Sequence, residues 1–239
     1  TQENVIRNQL LIDEGDQYNA ILANKSINNI KSLNIFKSVV SETIDDEING
    51  EKTIEITIEE KATGEILAGA GVGTDGNSIN FAIKENNYLG KGIKLDSSLT
   101  LSTDTIKGLF SVKNPNFNNS DKSVYARAQA LETDRLTESG YKSNKAGFAF
   151  GTSFEYQDDL FFGLGQSSFY EKIETNSTAS TRQKQQEGNY WDTFVTLDLD
   201  YDKRNQKFKT TDGYRSYYSV DLPIISENNS LTNLYNISY

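Results

Sequence analysis

The chain has 239 residues, of which 36% are hydrophobic, enough for one large domain or for a small domain and a larger one. It contains neither Cys nor His, so thiolate and imidazole chemistry, the usual zinc ligands and disulfide bonds are excluded. The net charge of -10 argues against a nucleic-acid-binding surface, because such surfaces are strongly basic.

Membrane-spanning helices are not expected. No stretch approaches the roughly 18 consecutive apolar residues that such a helix needs. If the chain crosses a membrane, it therefore does so as strands. The sequence begins without Met and shows no signal peptide, so we expect a mature chain or an internal part of a longer one.

The first 61 residues predict an α+β module. A short helix is expected from Glu3 to Ile12 and a second from about Tyr18 to Leu33. Apolar residues in the second helix recur every three to five positions, which predicts one buried stripe. The stripe comprises Tyr18, Ile21, Leu22, Ile27 and Ile30.

A hairpin is predicted after the helices. Apolar and polar residues alternate in 36–44 and again in 53–59, around a turn at 45–51. From Lys61 onward no helical pattern appears, so we expect one domain over 1–61 and another over 62–239.

The second domain alternates apolar and polar residues in long segments. In 93–102, four of the five residues on one face are hydrophobic and none of the five on the other is. We predict about ten strands. They cover Ile66–Gly73, Ser78–Glu85, Ile93–Ser102, Ile106–Asn114, Ser123–Thr133, Lys145–Tyr156, Leu160–Tyr170, Asn189–Asp202, Tyr214–Leu222 and Leu231–Tyr239.

Both a soluble sandwich and a membrane barrel show this alternation. The length of these segments, about nine to twelve residues, matches tilted strands across a bilayer better than it matches the shorter strands of soluble sheets. Aromatic residues gather at the segment ends, as interfacial girdles do, and the only prolines, Pro115 and Pro223, are expected at turns. These features favour an antiparallel transmembrane barrel. The longer loops are expected at one end and the shorter turns, 86–92, 115–122, 157–159 and 203–213, at the other.

Several strings resemble a known family. Val5-Ile6-Arg7, Glu14-Gly15 and the passage 33–39 before a strand pair resemble the POTRA module. The strings 63–74, 86–92, 112–117, 201–204 and 211–215 resemble the barrel of the BamA-type assembly proteins. The resemblance implies a fragment that begins inside the last POTRA module, without its first strand, and includes about ten of some sixteen barrel strands.

The resemblance also implies a function: assembly and insertion of β-barrel proteins into the bacterial outer membrane, with the POTRA module in the periplasm. Its partners would be unfolded outer-membrane proteins, outer-membrane lipoproteins and lipids, and it would need no cofactor. Related alternatives are the translocation and assembly protein TamA and two-partner secretion transporters. A passive porin would leave the α+β module unexplained, and an enzyme is not expected because the carboxylates form no paired, buried site.

Two strands and one side chain are the candidate sites. The first barrel strand would form a lateral seam that pairs with nascent strands, although its glycines could instead mark a bulge. The POTRA edge would bind clients by strand addition, although an edge can also bind nothing. Arg7 is the candidate contact for a lipoprotein. The seam comprises Ile66, Leu67, Ala68, Gly69, Ala70, Gly71, Val72 and Gly73; the POTRA edge comprises Lys37, Ser38, Val39, Val40, Ser41, Glu42, Thr43 and Ile44.

Three aspartates, Asp198, Asp200 and Asp202, share one strand face. They lack the compact loop of calcium sites. We therefore expect a hydrated acidic ladder that faces the barrel lumen near Arg204 or Arg215, and no metal site.

Overall fold

A computed structural model describes residues 1–46, 50–73, 76–205, 210–226 and 232–238. Predictions that involve Thr74, Asp75, the centre of the 45–51 turn, part of the 203–213 turn, Leu231 or Tyr239 lie at least partly outside these residues. Among the described residues, no helix is long and apolar enough to span a membrane.

The amino-terminal module contains two helices and a hairpin. Helices α1 (Glu3–Arg7) and α2 (Ala20–Ser32) precede strands β1 (Phe36–Asp46) and β2 (Glu51–Glu60), which pair antiparallel. The helices pack on one face of the hairpin, where the core is buried because its apolar side chains meet there. The core residues are Val5, Ile27, Ile30, Ile35 and Phe36.

Both predicted helices are longer than the observed ones. Helix α1 ends at Arg7 rather than Ile12, and the chain that follows is held differently: the backbone N–H of Leu11 donates to Ser26 Oγ at 2.8 Å. Helix α2 begins at Ala20, because the Asn19 side chain accepts from the N–H groups of Ile21 and Leu22 and caps it.

The predicted buried stripe of α2 is only partly correct. Ile27 and Ile30 are buried, but Tyr18, Leu22 and especially Ile21, which is 77% exposed, are not. The buried positions of α2 are instead Ser26, Ile27 and Ile30, all in its second half. The described hairpin has only two strands, so it covers a narrow part of the helix surface.

The rest of the chain forms one ten-stranded sheet in which each strand pairs antiparallel with its neighbours in sequence. This is the predicted number of strands. They are β3 (Gly64–Gly73), β4 (Gly76–Tyr88), β5 (Ile93–Ser102), β6 (Thr105–Asn114), β7 (Ser123–Arg135), β8 (Tyr141–Gln157), β9 (Leu160–Thr175), β10 (Gly188–Asp202), β11 (Arg215–Ile225) and β12 (Thr232–Ser238).

Strands β4, β8 and β9 are each five residues longer than predicted, and the largest change at one end is in β8 and β9. Both extend further toward the 136–140 and 176–187 loops, because ladder pairing continues to Tyr141 and Thr175 beyond the apolar alternation. Pro223 lies inside β11 rather than at a turn, opposite Phe194 where the β10–β11 register shifts. A proline is tolerated there because a bulge needs no ladder hydrogen bond from it. The β9–β10 connection contains a short helix, α3 (Thr181–Gln185), with a Ser180–Gln183 capping box.

The two faces of the sheet differ as the alternation predicts. On β10, Trp191 and Leu199 are 50% and 45% exposed on the apolar face. The aspartates of the same strand lie on the other face, which is more covered by neighbouring side chains. We call the apolar face the outer face and the other the inner face.

Candidate functional site

Strand β3 is one edge of the ten-stranded sheet. Within the described residues it pairs only with β4, and all ten of its residues are exposed. The pairing is regular from Gly64 opposite Glu85 to Gly73 opposite Gly76, without a register shift. The predicted seam strand therefore presents a row of backbone groups to a possible partner strand.

The three glycines of the predicted seam, Gly69, Gly71 and Gly73, are not required by the geometry of β3. A β-carbon placed on Gly69 or Gly73 would have no atom within 4 Å, and on Gly71 it would meet only Ser78 Oγ at 3.7 Å. None of the three has a positive φ, and the described ladder has no bulge at this strand. The alternative interpretation, that these glycines mark a bulge, is not supported.

The hairpin of the module also has free edges. Strand β1, which contains the predicted client edge, pairs only with β2 among the described residues. Val40 and Ile44 on β1 are 54% and 50% exposed, so this strand offers apolar side chains as well as backbone groups. A groove of ≈ 800 Å³ lies between the helices and β2, with Ile54, Ile56 and Ile58 on its strand side.

The module is close to the start of the sheet. Strand β2 ends at Glu60 and β3 begins at Gly64, so three residues connect the hairpin to the seam strand. The N–H of Asn86 donates to the carbonyl of Thr63 at 3.2 Å and fixes this connection against β4. The partner of the client edge, β2, thus leads directly into the seam strand β3, and the two candidate strands lie in separate sheets.

The helices of the module lie on the short turns of the sheet. The N–H of Gln2 donates to the carbonyl of Gly90 at 2.7 Å in the β4–β5 turn, and a β-carbon on Gly92 would lie 3.1 Å from Val5 Cγ1. Gly90 and Gly92 both have positive φ, which glycine adopts at low cost.

Two weaker contacts continue along the same end of the sheet. Gln9 donates to Asn116 Oδ1 at 3.3 Å in the β6–β7 turn, and Lys25 Nζ is 3.2 Å from Asp159 Oδ1 in the β8–β9 turn. Three alternate turns therefore contact the module, and they lie at the end that the sequence assigned to the short turns. The sequence contained no signal for these individual contacts.

Arg7 is held within the module. Its guanidinium donates to Glu3 at 2.6 Å and to Glu14 at 3.2 Å, and these hydrogen bonds raise the pKa of Arg7 above its usual value. The Arg7 side chain remains 52% exposed, so it is accessible to another protein.

The acidic ladder has the predicted partners. Asp200 accepts from Arg215 at 2.7 and 2.6 Å, and Asp202 accepts from Arg204 through two bonds of 2.7 Å. Asp198 accepts from the hydroxyl groups of Tyr217 and Ser219. The described residues contain no group of three or more acidic side chains arranged to hold a metal ion. The ladder is a hydrogen-bonded part of the inner face.

Comparison with solved structures identifies similar folds. BamA from Haemophilus ducreyi lacking POTRA domains 1-3 has a TM-score of 0.65 and 20% identity, over 94% of this chain and 46% of that one. CdiB from Escherichia coli has a TM-score of 0.54 and 13% identity, over 95% and 44%. CdiB from Acinetobacter baumannii has a TM-score of 0.51 and 10% identity, over 98% and 44%. The chain spans less than half of each.

Sequence profiles agree with these folds. No curated protein matches the sequence. A profile described as a surface antigen variable number repeat, the POTRA repeat, matches residues 1–61. A profile described as the Omp85 superfamily domain matches residues 87–237. The chain belongs to the Omp85 superfamily, and it consists of a POTRA module followed by part of an antiparallel transmembrane β-barrel.

Proposed function

We propose that this chain is part of a BamA-like protein that inserts β-barrel proteins into the bacterial outer membrane. Membership of the superfamily supports a role in barrel assembly or in secretion, neither of which is enzymatic. Strand β3 is the observation that favours assembly over secretion. It is an exposed, glycine-rich edge strand that is regularly paired with β4 and, among the described residues, has no partner on its other side. Such an edge can add a client strand through main-chain hydrogen bonds, without a requirement for a particular client sequence.

The module would supply clients to this edge. In our proposal an unfolded outer-membrane protein pairs with 37–44 of β1, which is mostly exposed and whose partner β2 is joined to β3 by three residues. Arg7 would contact an outer-membrane lipoprotein, because its guanidinium is half exposed beside an acidic pair. The exposed outer face would contact lipid, and the module would lie in the periplasm at the end of the short turns.

The absence of cysteine from this chain makes a disulfide experiment direct. The full-length protein, without other cysteines, is reconstituted into liposomes with Ala70→Cys in β3, and a small outer-membrane barrel with one cysteine in its terminal strand is added unfolded. We expect an oxidised adduct that forms during insertion. Ala126→Cys is the matched control: Ala126 is also exposed, but β7 is paired on both sides.

The same liposomes distinguish the other functions. A TamA-like protein or a two-partner secretion transporter would leave this client unfolded, and a porin would conduct ions but form no adduct. Equal adduct yields at Ala70→Cys and Ala126→Cys, or no accelerated folding of the client, would refute the proposal. Folding is read from the change in gel migration on heating.

A further inference from the structure

We propose that Tyr125 and the glycines beneath it lock strands β7–β10 into a rigid panel, so that opening of the barrel is confined to β3–β6. The lock itself depends only on contacts on the inner face. The confinement of opening to β3–β6 rests on the proposed seam at β3, and hydrogen exchange and client adducts test the lock and the seam separately.

The strand register places the residues of the lock in one row. Tyr125 on β7 is opposite Gly151 on β8, and Gly151 is opposite Gly165 on β9. Gly165 is in turn opposite Thr196 on β10. Adjacent strands are about 4.8 Å apart, so a tyrosine that lies flat along this row reaches across two strands.

The side chain of Tyr125 fills the space above both glycines. A β-carbon placed on Gly151 would lie 2.7 Å from Cε1 and 2.8 Å from Cζ of Tyr125, and one placed on Gly165 would lie 2.7 Å from its hydroxyl oxygen. Neither glycine has a positive φ. Glycine at both positions therefore leaves space for the Tyr125 side chain, and at Gly151 also for the carbonyl oxygen of Leu164, which would lie 2.7 Å from the β-carbon.

Two further glycines of the same wall are covered in the same way. A β-carbon on Gly147 would collide with Phe169 and with the carbonyl of Ser168, and one on Gly163 would lie 2.9 Å from Cβ of Asp198. In β3–β6, by contrast, a β-carbon on Gly69, Gly73 or Gly108 would have no atom within 4 Å, and the close approaches are at strand ends: Gly64 to Glu85 Oε2 at 3.0 Å and Gly76 to Thr103 Oγ1 at 2.6 Å. The interlocking side chains are thus concentrated in one part of the sheet.

This arrangement opposes sliding of the strands. A two-residue shift between β7 and β8 would move Tyr125 from Gly151 to Ala149 or Ser153, whose β-carbons would occupy the space of the ring. The register of β7–β10 is therefore fixed by shape in addition to the backbone ladder. Among the described residues, no glycine inside strands β3–β6 is covered by an aromatic ring in this way, and these strands are the part of the sheet next to the β3 edge.

Hydrogen exchange of the full-length protein in lipid nanodiscs tests the proposal. In the unmodified protein, amides of β8–β10 are expected to exchange at least about 10-fold more slowly than those of β3–β4, since locally weaker ladders open more often. Gly165→Ala should speed exchange in β8–β10 by about 10-fold, because overpacking destabilises the closed sheet and so raises the equilibrium constant for its opening. Gly108→Ala adds the same methyl group in open space, on the outer face of β6, and should not speed exchange in β8–β10.

Double substitutions keep the test decisive where a single one disturbs folding. The hydroxyl of Tyr125 is the atom that crowds Gly165, whereas its ring and the carbonyl oxygen of Leu164 crowd Gly151. Tyr125→Phe should therefore restore protection to Gly165→Ala but not to Gly151→Ala. Equal effects of Gly165→Ala and Gly108→Ala, rescue of both glycine variants alike, or equal exchange in β3–β4 and β8–β10 would overturn the proposal. The client adduct at Ala70→Cys is scored separately, so its loss would count against the seam and not against the lock.

Discussion

Glycines in two regions of this sheet have opposite surroundings. In the edge strand β3, Gly69 and Gly73 have empty space where a side chain would be. In the wall formed by β8 and β9, Gly147, Gly151 and Gly165 are covered by aromatic side chains from neighbouring strands. In the first region glycine leaves packing unused, and in the second it makes close packing possible.

The difference shows that glycine can lower the stability of one part of a barrel and allow closer packing in another. A glycine with no neighbours contributes only the flexibility of its backbone, which disfavours the strand. A glycine beneath an aromatic ring allows a large apolar side chain to lie flat across neighbouring strands, and the contacts of that ring stabilise them. A barrel that opens at one place needs both kinds.

The largest expected effect is that of Gly147→Ala, in the wall. The added methyl group would collide with Phe169 and with a backbone carbonyl that cannot rotate away, so we expect a loss of about 3 kcal/mol, the upper part of the usual range for overpacking. Unfolding by urea in detergent, followed by gel migration, measures it. Gly108→Ala is the control, and a loss no larger than that of the control would contradict the distinction between crowded and open glycines.

The sequence was sufficient to predict the sheet because alternation survives in almost every strand. Strand β5 has the predicted limits, Ile93–Ser102, since its apolar residues continue to both of its ends. Strands β8 and β9 were predicted too short because the first residues of β8, 141–144, and the last residues of β9, 171–175, are mostly polar. The backbone ladder and cross-strand polar contacts, such as that of Ser143 Oγ with Glu171, hold them instead. Pairing can thus extend a strand beyond the part that its side chains reveal.

The contacts within the wall could not be predicted in the same way. Alternation assigned Gly147 and Gly151 to one face of β8, but it does not give the register that places Tyr125 above Gly151 and Gly165. That register depends on loop lengths and strand lengths together. The exposure of Ile21 has a similar origin, because helical spacing predicts a stripe but not how much of it a two-stranded hairpin covers.

A smaller effect, of opposite sign, is expected for Gly69→Ala in β3. The methyl group would meet no atom, and alanine loses less backbone freedom than glycine, so the strand should be stabilised by about 0.5–1 kcal/mol. Under the proposed function a more stable edge opens less often, and client insertion into liposomes should slow by about two- to five-fold. Gly108→Ala again serves as control. Faster exchange of the β3–β4 amides in Gly69→Ala would show that the open glycine has a role that its surroundings do not reveal.

The smallest expected effect concerns the module, which touches both regions. Near the edge it is held by a 2.7 Å backbone bond to Gly90, and near the wall by the ion pair of Lys25 with Asp159, whose side chains are 50% and 25% exposed. Exposed pairs contribute about 0–1 kcal/mol and weaken with salt. Lys25→Gln should therefore loosen only the wall side of the module, seen as slower disulfide formation between Gln9→Cys and Asn116→Cys. Raising the salt concentration should reproduce this change in the Lys25 protein and have little effect in the Lys25→Gln protein. A salt effect of equal size in both would mean that other charges hold the module in place.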